Sequence, residues 1–90
     1  MKAIKTSFRQ MVAAVPPEIK EEASLEVAIS NRIYELMTAR GLSKVEFARA
    51  LGKRPNEITK WLSGQHNFTV RTIALLSVFF KEDLISVSAD

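Results

Sequence analysis

The stretch from Leu42 to Asn67, LSKVEFARALGKRPNEITKWLSGQHN, constrains this chain more than any other feature, because its local signals specify two short helices joined by a glycine turn. Ser43 and Glu46 form an S-x-x-E capping box, in which the Ser43 hydroxyl accepts from the amide three residues on and the Glu46 carboxylate accepts from the Ser43 amide. A helix therefore starts at about Lys44. Its apolar positions Phe47, Ala48 and Leu51 share one face, and Gly52 follows, where a residue that tolerates positive φ ends a helix without a Cβ penalty. The turn is Gly52-Lys53-Arg54. Pro55 suits the first position of a second helix, since its missing amide has no intrahelical partner there anyway. That helix buries Ile58, Trp61 and Leu62, presents Asn56, Thr59 and Lys60 elsewhere, and ends at Gly64.

Around this pair the same signals predict three more helices. Ile4, Phe8, Met11, Val12 and Val15 recur at helical spacing, so residues 4–14 read as an amphipathic helix that Pro16-Pro17 ends. Pro17 also opens the next helix, with Glu18, Glu21 and Glu22 favoured in its early turns by the N-terminal dipole. Two readings fit the residues beyond Glu22: one helix unbroken to Arg40, or a restart at Ser24 ahead of Leu25, Ile29, Ile33 and Leu36. Gly41 then supplies a left-handed residue, with Leu42 as its apolar companion. Thr69 caps a final helix from Val70 to about Phe80, and Leu84 to Asp90 reads as a short strand or a disordered tail. The expected fold is all-α: a compact five-helix domain, divided into an N-terminal helical extension (1–24), a helix-turn-helix unit (25–83) and a C-terminal tail (84–90).

The final helix is apolar around most of its circumference, from Ile73, Ala74, Leu75 and Leu76 to Val78, Phe79 and Phe80, and such a helix must be covered on more than one side. Dimerisation through it, shielding by the N-terminal helix, or both would provide the cover. The expected dimer or partner contacts are therefore Phe8, Met11 and Val12 on the first helix and Leu76, Phe79 and Phe80 on the last.

Ninety residues support one small core. With no cysteine there is no disulfide framework, thiolate zinc site or cysteine nucleophile. His66 is the only histidine and lacks partners for metal binding or catalysis, so no metal or cofactor is expected and no enzyme is indicated. The longest apolar run, Met11 to Val15, is far below the roughly twenty residues a membrane span needs, and no secretory signal is recognisable; the expected location is cytoplasmic. The net charge of +3 is unevenly spread. Arg40 to Arg71 holds seven basic residues against two acidic ones, whereas Glu18 to Glu26 holds four glutamates against one lysine.

The pattern L-S-x-x-E-F-A-x-x-L-G, followed by Ile58, Trp61, Ser63-Gly64 and Asn67, resembles the helix-turn-helix of phage-repressor-like (Cro/XRE) regulators, a lambda-repressor-like fold. The resemblance covers about Leu25 to Phe80. Three positions depart from it: Lys53 where a small apolar residue is common, Leu62 where an acid is common and Phe68 where proline is common. The resemblance implies a double-stranded DNA partner, with an operator inverted repeat read by a homodimer. In that motif the second helix enters the major groove by its N-terminal turns, and Arg54, Pro55, Asn56 and Lys60 align with positions that face base edges. Asn56 suits adenine, Arg54 or Lys60 suit guanine, and Thr59 is a further candidate. Ser43, Lys44, Lys53, Gln65, His66 and Asn67 are the candidate phosphate contacts, although Asn67 equally well organises its own loop. Trp61, beside Ile58, reads as core rather than as a stacking platform.

Small proteins of this kind with an N-terminal helical extension also resemble antitoxins of the HigA type, which bind a toxin and repress their own operon. A stand-alone regulator is the alternative, and a helix-turn-helix used only for protein interaction is a rival from another class. The charge pattern separates the last from the others. Affinity for duplex DNA should fall steeply with salt, by roughly 0.9 log units per log unit of salt for each phosphate neutralised. Binding that stays flat from low to physiological salt in a titration excludes the DNA reading.

Overall fold

Proline decides where the first helix begins. The computed structural model describes residues 15–86, and in it Pro16 is extended (φ −55°, ψ 143°) while Pro17 occupies the first turn of α1, Pro17–Ala39. α1 runs unbroken through Ser24, which lies among good helix formers and does not interrupt the ladder. Its buried positions Ile29, Ser30, Ile33, Leu36 and Met37 all belong to the second half, so the first half stands largely in solvent. At the far end the Leu42 amide donates to Met37 O (3.0 Å) and the Gly41 amide to Thr38 O (2.9 Å), a Schellman closure made possible by φ +67° at Gly41.

The helix-turn-helix comes next. α2, Lys44–Leu51, starts at the predicted capping box: the Glu46 amide donates to Ser43 Oγ (3.1 Å) and the Ser43 amide to Glu46 Oε1 (2.9 Å). It ends at Gly52, φ +70°, where the Lys53 amide reaches back to Ala48 O (2.8 Å). α3, Pro55–Trp61, packs directly on α2. Thr69 then caps α4, Val70–Phe80, by accepting from the Thr72 amide (3.1 Å). The described residues thus hold four helices and no strand. The expected count of five is not matched among them: the helix predicted over 4–14, with Phe8, Met11 and Val12, lies outside the described residues, as do the last four residues of the tail.

Phe47 of α2 is the centre of the core. It is fully buried and its ring meets Trp61 of α3 edge-on (6.2 Å) and Phe79 and Phe80 of α4 in tilted contact (5.7 and 5.4 Å). Leu76 and Phe80 have no exposure at all, which corrects their assignment as dimer contacts: they are the side of α4 that closes the monomer's own core. Phe79 is half-buried and packed on that core too. What α4 leaves uncovered is Val70 (82% exposed), Val78 (77%) and, less so, Leu75. Leu84, assigned to the tail by sequence, is buried, and its amide donates to Ser77 Oγ (3.3 Å).

Two polar residues tie the helices together. Ser30, buried on α1, donates from Oγ to Trp61 O (2.6 Å) and accepts from the Gly64 amide (3.2 Å), so it latches the end of α3 to α1. Arg40, just past α1, donates to Phe79 O (3.4 Å) and Phe80 O and sits over the Phe80 ring (5.3 Å), placing a cation at the carbonyl end of α4.

The Glu46 carboxylate is held below its ordinary value of 4.5, first by the Ser43 backbone amide, then by the Ser43 hydroxyl and the Arg49 charge. Because its folded value is lowered, its contribution to α2 is complete above 4.5 and is lost as pH falls through the lowered value. Amide protection at the start of α2 should fade over that acid range in hydrogen exchange, and Glu46→Gln should flatten the pH dependence. Ser30→Ala leaves the Gly64 amide and the Trp61 carbonyl without their partner and should cost about 1–3 kcal/mol in urea unfolding; an unchanged midpoint would show that the latch carries no stability.

Candidate nucleic-acid interface

α3 divides its residues cleanly between core and solvent. Ile58 is fully buried and Trp61 nearly so, while Arg54, Pro55, Asn56, Thr59 and Lys60 are all exposed. The division follows from the helical period: Ile58 and Trp61 lie three apart on the face that meets α2, and the base-reading candidates fill the remaining arc. Arg54 is the N-cap in extended conformation (φ −97°, ψ 148°) and makes no side-chain cap bond, so its guanidinium projects from the turn. Thr59 is modified by the structure, because its hydroxyl donates to Pro55 O (3.2 Å) within the helix. What it offers a ligand is its methyl group and an acceptor oxygen rather than a free donor.

The basic charges of this face are uncompensated. Among the described residues the ion pairs join Arg32 to Glu35 (3.8 Å) and to Glu82 (3.7 Å), and neither involves Lys44, Lys53, Arg54 or Lys60. All four are exposed. An ammonium or guanidinium without a carboxylate partner is free to replace the counterions of a phosphate backbone. Ser43 is exposed at the start of α2, but its hydroxyl is engaged within the capping box, by the Glu46 amide and the Glu46 carboxylate. Arg40 leaves the basic set: its guanidinium is engaged by the last carbonyls of α4, so its role is structural.

The segment after α3 is less uniform than the sequence suggests. Ser63 Oγ donates to Lys60 O (2.7 Å) and accepts from the Gln65 amide (3.1 Å), which fixes the chain as it leaves Gly64, φ +81°. Gln65 stays exposed. His66 is half-buried, edge-on to Phe68 at 4.7 Å, and Phe68 in turn tilts against Trp61 at 6.5 Å. Its ring is thus part of the packing beyond Gly64. Asn67 is exposed but lines a groove with Phe68 and the first half of α1, together with the start of α4. The structure therefore gathers Lys53, Arg54, Pro55, Asn56, Thr59 and Lys60 on the turn and α3, with Ser43 and Lys44 at the start of α2, and turns His66 toward the aromatic cluster. Ser30 is not marked by sequence, since a serine on an amphipathic helix carries no local sign of a partner thirty-one residues away.

A helix-turn-helix family model (HTH_3) matches residues 33–85, more than half of the chain. The span includes the end of α1 from Ile33, all of α2, α3 and α4, and Leu84. No curated protein and no solved structure matches the chain.

Base-reading and phosphate contacts separate by their response to DNA sequence. Asn56→Ala and Lys60→Ala should each relax preference at one or two base pairs, by about 1–3 kcal/mol, with the fold unchanged because both are solvent-exposed. Lys44→Ala should instead weaken every sequence alike and lower the salt slope by about one. Anisotropy titrations against single-base variants of a selected site measure both; unchanged preference in the first two variants would assign the reading to other residues.

Proposed function

Because the chain belongs to the helix-turn-helix family HTH_3, a DNA-binding family, we propose that it is a sequence-specific transcriptional repressor acting as a homodimer at a short inverted repeat. One observation carries this reading: Ile58 and Trp61 lock α3 into the core while Arg54, Asn56 and Lys60 stand together on its exposed side. Buried anchors make the helix a rigid rod, and a rigid rod presents bidentate donors and acceptors in the register that base edges require. The mechanism is occupancy, in which a protein bound across a promoter excludes the polymerase. No catalytic step is part of it.

A second copy is required because one recognition helix reads too few bases for tight binding, and dimers of this motif place their reading helices about 34 Å apart on one face of the duplex. The uncovered side of α4, with Val70, Leu75 and Val78, supports such pairing and replaces the buried Leu76 and Phe80 as the candidate surface. The reading extends to autoregulation as an antitoxin, for which the support is the look of the motif GKRPNEITKWLSGQHN. Rescue of growth on co-expression with a toxic product of the adjoining gene tests that extension.

Selection from random duplexes followed by gel shift should yield a two-fold symmetric site. Sedimentation at micromolar concentration should show a dimer, which Val78→Glu weakens without unfolding the chain. Binding that shows no sequence preference, or a monomer at every concentration, overturns the proposed repressor.

A further inference from the structure

The first half of α1 forms one wall of an open groove of about 340 Å³, which shares no residue with α2 or α3. Its floor is apolar: Leu25 and Ile29 of α1, Phe68, Ile73 of α4 and Ile85. Leu25 and Ile85 are 46% and 38% exposed, so the floor is not covered by anything among the described residues. Its rim is acidic, with Glu18, Glu21, Glu22 and Glu26 along α1. None of these carboxylates takes part in an ion pair among the described residues. Such a surface repels nucleic acid and anionic ligands. It suits an amphipathic segment with a large apolar stripe bordered by positive charge.

We propose that residues 1–14 of this same chain, MKAIKTSFRQMVAA, are the occupant of that groove, lying back along α1. Three arguments on residues and lengths converge. The segment carries Lys2, Lys5 and Arg9 and no acidic residue, opposite four glutamates. Its apolar residues Ile4, Phe8, Met11 and Val12 repeat at helical spacing, and Lys5 and Arg9 border that stripe on one side. Fourteen helical residues span about 21 Å, which covers the roughly 17 Å of α1 between Glu18 and Ile29. Connectivity agrees with this. The residue before a proline is driven into extended conformation, so Val15 and Pro16 preceding Pro17 prevent the segment from continuing the axis of α1 and allow it to double back. A tether this short also gives the segment a far higher effective concentration at the groove than a second molecule has. This docking is independent of the DNA-binding reading.

The absence of cysteine in the chain makes the test direct. A nitroxide on Thr6→Cys, a polar position outside the apolar stripe, should broaden the methyl resonances of Leu25, Ile29, Ile73 and Ile85 strongly and those of Ile58 in α3 little. Glu21→Lys combined with Glu22→Lys changes two exposed residues, so an unchanged amide spectrum in α2 and α3 verifies the fold. That variant should lose the groove broadening several-fold. Uniform or absent broadening overturns the docking, and full broadening in the charge-reversed variant overturns the electrostatic match. Spin-labelled chain mixed with isotope-labelled chain distinguishes the remaining occupant. Broadening that appears in the mixture as strongly as within one chain assigns the groove to a second copy's segment and overturns the proposal.

Discussion

The burial of Phe47 is the contact on which the rest of this structure depends. Its ring touches both α3, through Trp61, and α4, through Phe79 and Phe80. Edge-on and tilted aromatic contacts are directional as well as apolar, so the cluster sets the angle between helices and does more than exclude water. Removing a buried phenylalanine ring costs about 3–5 kcal/mol, a large share of what a domain of this size possesses. The orientation of α3 is therefore coupled directly to global stability.

Around that hub, the backbone supplies the stops and a few polar groups supply the latches. Gly41 and Gly52 adopt positive φ and close their helices by returning amides to carbonyls five residues back, which sets short connections. The Ser30 hydroxyl then holds the carbonyl end of α3, and the Arg40 guanidinium holds the carbonyl end of α4. Both latches satisfy carbonyls that a helix terminus otherwise leaves to water. Both also start from α1 or its C-terminal edge, so the long helix serves as the frame on which α3 and α4 are mounted.

Charge is partitioned along the same lines. Lys44, Lys53, Arg54 and Lys60 are exposed and form no ion pair among the described residues, while Glu18, Glu21, Glu22 and Glu26 of α1 line a groove elsewhere. Such a partition opposes the approach of a polyanion to the acidic rim and favours its approach to the exposed basic side chains.

The amino-acid sequence alone determined the features that act over a few residues. The Ser43–Glu46 box, the left-handed stops at Gly41 and Gly52, Pro55 at a helix start, the Thr69 cap and the inward face of Ile58 and Trp61 were legible because each signal and its partner lie within one or two helical turns. The tertiary structure alone decided which side of α4 closes the core. A helix apolar nearly all round carries no periodic mark to distinguish Leu76 and Phe80 from Val70 and Val78. The same holds for Leu84, for the uninterrupted passage of α1 through Ser24, and for the partners of Ser30 and Arg40, thirty-one and about forty residues distant. Local backbone chemistry sets where helices start and stop; which faces meet depends on the packing of the whole chain, and that information is not contained in any short window of it.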